Sequence, residues 1–266
     1  MQSKKSSLIS VIMNCRNGEK YLKKSLTSLI NQSYKNWELI FFDNNSHDKS
    51  KKIIKSFKDK RIRIFTSKKN LKLYHARNLA IKQAKGKYIS FLDVDDLWEK
   101  KKLKIQYNFL KKNKDFKFIY TNYFTLFEKT KKINLKFSKI LNSGFITQEL
   151  LNNYSLTILT VFFDASIINK KNFFNKKYNI IGDFDCFIKL SLKNRIAYIK
   201  EPLATYRIHD KNYSLINLRE YLSELKKWKK NNFKTYSKFS LNNLNYYLIK
   251  LRIKILINYF GRVVQW

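Results

Sequence analysis

The stretch Phe91-Leu92-Asp93-Val94-Asp95-Asp96 decides how this chain is read. Lys87-Tyr88-Ile89-Ser90-Phe91 leading into it is strand-like, and Leu97-Trp98 opens a helical pattern that runs to Lys112. Carboxylates at the end of a buried hydrophobic strand are costly to desolvate without a counter-charge. Two readings meet that cost. Either a divalent metal carrying a diphosphate neutralises the cluster, or the acids sit at a helix N-terminus and cap it.

Outward from this point, strand and helix signals alternate. Leu8–Met13 reads as a buried strand, and Gly18–Gln32 follows with Leu22, Leu26, Leu29 and Ile30 at helical spacing. Trp37–Phe42 is a second apolar strand, and Ser46 or Asp48 is placed to cap a helix through Ile53, Ile54 and Phe57. Arg61–Phe65 alternates as a strand, Ala76–Ala84 is helical, and Gly86 breaks the chain before the Lys87–Leu92 strand. Such alternation predicts an α/β fold, with a mostly parallel central sheet and helices on both faces. Ligands in these sheets sit at the carboxyl ends of strands. Asp43 and the Asp93–Asp96 cluster both fall there.

Further on, Phe116–Phe127 is a long aromatic strand and Lys131–Ser143 is weakly patterned. A short helix is expected over Phe145–Asn152, a strand over Leu156–Phe163 and a helix over Gly182–Leu192. Ile196–Ile199 and Ala204–Ile208 read as two short strands flanking Pro202. From Leu215 onward the pattern is a basic helical tail, Leu215–Lys230 and Leu241–Phe260. In its second helix Leu244, Leu248, Leu251, Ile255 and Tyr259 repeat at helical spacing, with Lys250, Arg252 and Lys254 between them. That stripe either packs on the main domain or lies in a bilayer interface.

Composition narrows the classes. The 44% hydrophobic and 16% aromatic content fills a sizeable core, which argues against wholesale disorder. The formal charge of +37 points to an anionic partner, yet the lysines are scattered over nearly every segment. Drift in composition therefore explains most of it, with a basic surface added near the C-terminus. Cys15 and Cys186 form no CxxC pair and read as small buried residues of a reducing compartment. Met1 to Ser7 is polar, the apolar run after it is too brief for a signal segment, and no run approaches bilayer length. A cytoplasmic protein is expected, peripheral on the inner face of the cytoplasmic membrane. GxGxxG, Walker A and HExxH patterns are absent, which excludes dinucleotide, P-loop and zincin chemistry.

Taken together, residues 7 to 214 resemble the family 2 glycosyltransferases of the GT-A fold. Ser10-Val11-Ile12-Met13 with Asn17-Gly18-Glu19-Lys20-Tyr21-Leu22 is similar to that family's first strand and helix. Asn31-Gln32-Ser33-Tyr34 through Phe42-Asp43-Asn44-Asn45-Ser46 is similar to its second unit. Ala76-Arg77-Asn78 and Ala84-Lys85-Gly86-Lys87-Tyr88-Ile89 lead into Asp93-Val94-Asp95-Asp96, at the position of its DXD motif. Gly182-Asp183-Phe184-Asp185 and Glu201-Pro202-Leu203-Ala204-Thr205-Tyr206-Arg207-Ile208-His209 resemble its acceptor half.

The resemblance implies a donor half near residues 1–100 and an acceptor half near 101–214, ahead of the basic helical tail over 215–266. It also implies a metal-dependent inverting transferase that moves a sugar from a nucleotide-diphosphate donor to a hydroxyl of a surface glycan or lipid-linked saccharide. Asp95 would then hold Mg²⁺ or Mn²⁺, with Asp93 on the ribose or the metal shell and His209 approaching from the C-terminal side. Hard oxygen ligands suit those cations. Asp96 fits a helix cap better than a ligand. Asp43 corresponds to the family's contact to the nucleotide base, which favours a UDP- or dTDP-sugar; an Asx turn with Asn44 and Asn45 is its other reading. Asn14 and Arg16 fall in the nucleotide pocket, where Arg16 departs from the family pattern; Arg77 either reaches towards the diphosphate or is a structural helix arginine.

Asp183 corresponds to the general base. The family's acidic residue before it is Gly182 here, so Asp185 is the substitute candidate. Two other readings compete: a non-enzymatic nucleic-acid or anion-binding protein, and a degenerate transferase that binds donor without turnover. No nucleic-acid motif is present, so no nucleic-acid partner is expected.

Overall fold

The fold is taken from a computed structural model that describes residues 6–263, with side chains through residue 258. Part of the polar N-terminal segment read above, and the Tyr259 side chain, lie outside it. The order along the chain begins β1 (Ile9–Cys15), α1 (Glu19–Ile30), β2 (Trp37–Asp43), α2 (Ser50–Ser56), β3 (Ile62–Thr66), α3 (Leu73–Lys82) and β4 (Tyr88–Phe91). It continues β5 (Leu97–Trp98), α4 (Lys102–Lys112), β6 (Phe118–Phe127), β7 (Ile133–Leu135), α5 (Thr147–Asn152) and β8 (Phe162–Asp164). Last come α6 (Gly182–Ser191), β9 (Ile196–Ile208), α7 (Tyr213–Ile216), α8 (Leu218–Asn232) and α9 (Asn242–Val263).

The strands form one sheet in the order β3-β2-β1-β4-β8-β6-β9-β5, with β7 on β6. Its N-terminal part, β3-β2-β1-β4, is wholly parallel. Every residue of β1 and β2 is buried, as a sheet covered on both faces requires. Alternation along β1 divides the core: Ile9, Val11, Met13 and Cys15 face α1, α2 and α4, whereas Ile12 faces α3 and α6. The second layer is built on rings, with Phe118 at 5.6 Å from Phe163 and 5.3 Å from Phe187. Truncating such a buried ring costs about 3–5 kcal/mol.

Four local expectations change. Leu97-Trp98 is not helical. It pairs antiparallel with Ala204–Thr205, and the Trp98 indole N–H donates to the Leu159 carbonyl, so the helix begins only at Lys102. The expected strand Leu156–Phe163 is a 3-10 turn at Ile158–Thr160 followed by β8, because Thr160 donates back to the Thr157 carbonyl through both N–H and hydroxyl. The two short strands around Pro202 are one strand, β9. Its register against β6 shifts at Asn122, opposite Pro202, and a bulge of this kind is where a strand accommodates proline. Asp96 caps no helix: it is buried and accepts the Arg207 backbone N–H at 2.9 Å.

At the start of α2, Asp48 accepts from the amides of Ser50 and Glu19, which fastens α2 to α1. The tail does not stand apart from the main core. Leu225, Trp228, Tyr236, Leu244, Leu248 and Leu251 join the same apolar cluster as Tyr74, Phe91 and Phe187. Cys15 and Cys186 are both buried free thiols.

Candidate active site

The parallel strands end on one edge, and the loops leaving them frame two adjoining clefts. One, of about 370 Å³, is lined by Asn14, Arg16, Tyr74, Arg77, Asp93, Asp95 and Asp183 among others. The second, of about 960 Å³, runs from Arg16 and Tyr21 to His209. Arg16, Val94, Asp95 and Lys211 belong to both, so Asp95 stands on the seam between them.

Each carboxylate of the strand-end cluster has its own partner. Arg77, buried on α3, donates through Nη2 to both oxygens of Asp93, at 2.6 and 2.8 Å. Burial works against the guanidinium charge, but Asp93 and the neighbouring Tyr74 and Asp183 outweigh it and hold its pKa above the ordinary value. Asp95 Oδ2 lies 3.0 Å from His209 Nε2, across 114 positions of sequence. The Asp95 carbonyl accepts from Arg207 Nε, and the His209 ring rests 4.9 Å from Tyr21. Asp96 lies behind both; burial raises its pKa well above the carboxylate range, and the charges of Asp95 and Asp93 add to that.

On the opposite wall, Asp183 sits in the first turn of α6. Its Oδ1 accepts from the Tyr74 hydroxyl at 2.8 Å and from the Phe184 N–H at 2.9 Å. Burial pushes its pKa up, against the pull of Arg77 and of those hydrogen bonds. Gly182 explains itself here, since a Cβ at that position would run into the Tyr74 ring. Asp185 faces elsewhere. It accepts from Trp228 Nε1, pairs with Lys189 beside a different cavity and lines neither cleft.

Asn14 ends β1 with both side-chain polar atoms buried and without a protein partner, while lining the smaller cleft. Buried amide groups are normally paired, and among the described residues Asn14 is one of the few buried polar side chains without a protein partner. Arg16 is exposed at the mouth. Asp43 is not brought to either cleft. Its carboxylate is fully buried, takes the Ser46 amide at 3.3 Å and pairs with Lys51 at 3.4 Å, while Asn45 adopts a left-handed φ of 60°.

The sequence reading missed Tyr74, Arg207 and Lys211. Tyr74 precedes Arg77 by three positions on α3, hence on the same helix face, and Arg207 lies two positions before His209, near the end of β9. Those spacings were the available signals.

For a metal, the described residues contain no cluster of three His, Cys, Asp or Glu groups. The Asp95 oxygen and His209 nitrogen fit an open site in which diphosphate and water oxygens complete the shell, the usual arrangement for Mg²⁺ with phosphates. Asp93 is committed to Arg77.

This architecture, a mostly parallel curled sheet with acids at its carboxyl edge, is the GT-A glycosyltransferase fold. Residues 10–179 match the family described as Glycosyl transferase family 2, and the chain belongs to that family. It is 35% identical to the Escherichia coli UDP-Glc:alpha-D-GlcNAc-diphosphoundecaprenol beta-1,3-glucosyltransferase WfgD, over 62% of this chain and 64% of that protein. Among solved structures it is similar to S. aureus TarS 1–349 in complex with UDP-GlcNAc, with a TM-score of 0.70 and 17% identity, covering 85% of this chain and 66% of that one. The mannosyltransferase PcManGT from Pyrobaculum calidifontis, in complex with GDP-Man and Mn²⁺, gives a TM-score of 0.66 at 13% identity over 97% of this chain and 76% of that one. The chain spans under two thirds of the E. coli relative and 35% of the length of a Rickettsia felis glycosyltransferase it also matches.

Proposed function

We propose that this protein is an inverting glycosyltransferase that moves a sugar from a UDP-sugar to a hydroxyl of a lipid-linked saccharide during surface-glycan synthesis, at the inner face of the cytoplasmic membrane. The observation that carries the reading is the single cleft lined by Asn14, Arg77, Asp93, Asp95 and Asp183. The donor nucleotide and the lipid-diphosphate acceptor are carried over from the name of the E. coli relative.

In this reading Asn14 satisfies its buried amide on the nucleotide, and Arg77, held in place by Asp93, presents its charge to the diphosphate. Asp95 and His209 are the residues that would hold Mg²⁺ or Mn²⁺. Such a cation stabilises negative charge on the departing nucleotide diphosphate. Asp183 takes the proton of the acceptor hydroxyl as that oxygen forms its bond to the anomeric carbon, and the bond to the diphosphate breaks on the opposite face. A carboxyl raised by burial suits a base working near neutral pH. Tyr74 fills the space over Gly182 and orients Asp183. The missing acidic neighbour therefore does not require a degenerate enzyme.

The test is nucleotide release from a panel of UDP- and dTDP-sugars with a diphosphate-lipid saccharide acceptor, with and without divalent metal. Release is expected only with metal, and Asp95→Ala and Asp183→Asn abolish it. Wild-type turnover in both variants would overturn the assignment.

A further inference from the structure

Helix α9 has two apolar faces. Leu244, Leu248 and Leu251 are buried where it packs on α5 and α8. Tyr246, Ile249, Ile253, Leu256 and Ile257 are each 50–64% exposed. At about 100° per residue they gather into one stripe turned away from the packed face. By the same geometry Arg252 borders the stripe on one side, and Lys250 and Lys254 border it on the other. A helix docked on a domain by one face is ordinarily polar on the opposite one. This helix is polar only along the edges of its free face.

Charge identifies the occupant. After Glu224 the sequence has ten Lys and Arg and no Asp or Glu. Two copies of this chain meeting through α9 would bring like charges together, which opposes self-association. Nucleic acid would engage the cations and leave the aliphatic stripe in water. An anionic lipid surface answers both features, taking the side chains at the headgroup boundary and the cations at its phosphates. Among the described residues no helix is long and apolar enough to cross a membrane, so any lipid contact made by α9 would be interfacial.

The position of α9 gives the contact a purpose. Ile216 of α7 shares a cavity of about 540 Å³ with Ile255 and Asn258 of α9. Tyr213, at the start of the same short helix, lines the cleft that holds Asp183. Leu215 and Ile216 are themselves exposed. α9 therefore lies close to α7, which borders the cleft.

We propose that the Tyr246–Ile257 face of α9 docks flat on an anionic bilayer. The inference deepens the proposed function by naming the surface that meets the lipid. Its test uses no sugar donor, so either can fail without the other.

The full chain is floated with phosphatidylcholine vesicles with and without phosphatidylglycerol. Binding is expected to the anionic vesicles and at least tenfold weaker to the neutral ones. Ile253→Asp/Leu256→Asp should lower the bound fraction at least tenfold, and Lys250→Gln/Lys254→Gln about threefold, with unfolding midpoints unchanged. Equal binding of the Asp variant and the wild type overturns the proposal. So does a wild-type chain that ignores anionic vesicles, or one that dimerises through these residues in place of binding lipid.

Discussion

The two acidic segments that face each other across the cleft solve the same problem in opposite ways. In each, a buried carboxylate is a structural clamp: Asp96 holds β9 through the Arg207 amide, and Asp185 holds α8 through the Trp228 indole. The carboxylates left facing the cleft then differ. Asp93 is paired with Arg77, and Asp95 lies against His209. Asp183 has no cation within ion-pair distance among the described residues and leans on a tyrosine hydroxyl. One wall sets its carboxylates against Arg77 and His209, whereas on the other burial raises the pKa of Asp183. In the proposed function, holding the anionic leaving group and accepting a proton would be divided between the walls.

The largest effect that sharpens this contrast is at Asp183. Asp183→Asn is expected to lower kcat by about 10²–10⁴-fold, the usual worth of a general base, in a nucleotide-release assay. The same variant should be slightly more heat-stable at neutral pH, by about 2 °C in a thermal melt. The sign follows from a folded pKa raised by burial: that carboxyl stabilises the fold below its unfolded pKa, and the contribution is lost as pH rises through the folded value. An asparagine has no charge to bury, so its advantage over wild type should vanish at acid pH.

Gly182→Glu restores the acidic residue usual in the family, yet it should destabilise the chain by about 1–3 kcal/mol, because the new Cβ overlaps the Tyr74 ring. Removing the ring in Tyr74→Ala/Gly182→Glu should recover part of that loss in chemical denaturation. Additive losses would break the link between these two positions.

Asp185→Ala tests the other half of the contrast. It strands the Trp228 N–H and should cost about 1–3 kcal/mol in urea unfolding, with kcat within about twofold of wild type. Smallest is Tyr74→Phe. Losing a donor to the carboxylate raises the Asp183 pKa further, so the acid limb of the pH–rate profile should move to higher pH. An unmoved limb would mean that Tyr74 only fills space.

Much of the fold was legible because burial on both faces forces continuous apolar strands, as in Ile9–Cys15 and Trp37–Asp43. Leu97-Trp98 was misread because its apolar residues fit a helix as readily as an edge strand, and only pairing with Ala204 and Thr205 decides between them. Pro202 hid the continuity of β9 for a similar reason, since a bulge is visible only beside the partner strand. The tail helix was read by one stripe, Leu244-Leu248-Leu251, which the domain covers. Its second stripe became visible only when the first was seen to be occupied.

The sequence by itself determined that acids gather where parallel strands end, because periodicity and strand direction are local properties of the chain. It also singled out Asp95, His209 and Asp183. Which carboxylate faces the cleft, which clamps the core, and which partner each receives were tertiary decisions. Asp95 and His209 meet across 114 positions because β9 is held beside the Asp93–Asp96 turn by Asp96 and by the β5 pairing. Gly182 looks like a lost acid in one dimension. In three it is the space that Tyr74 needs, since two side chains distant in sequence cannot occupy one volume.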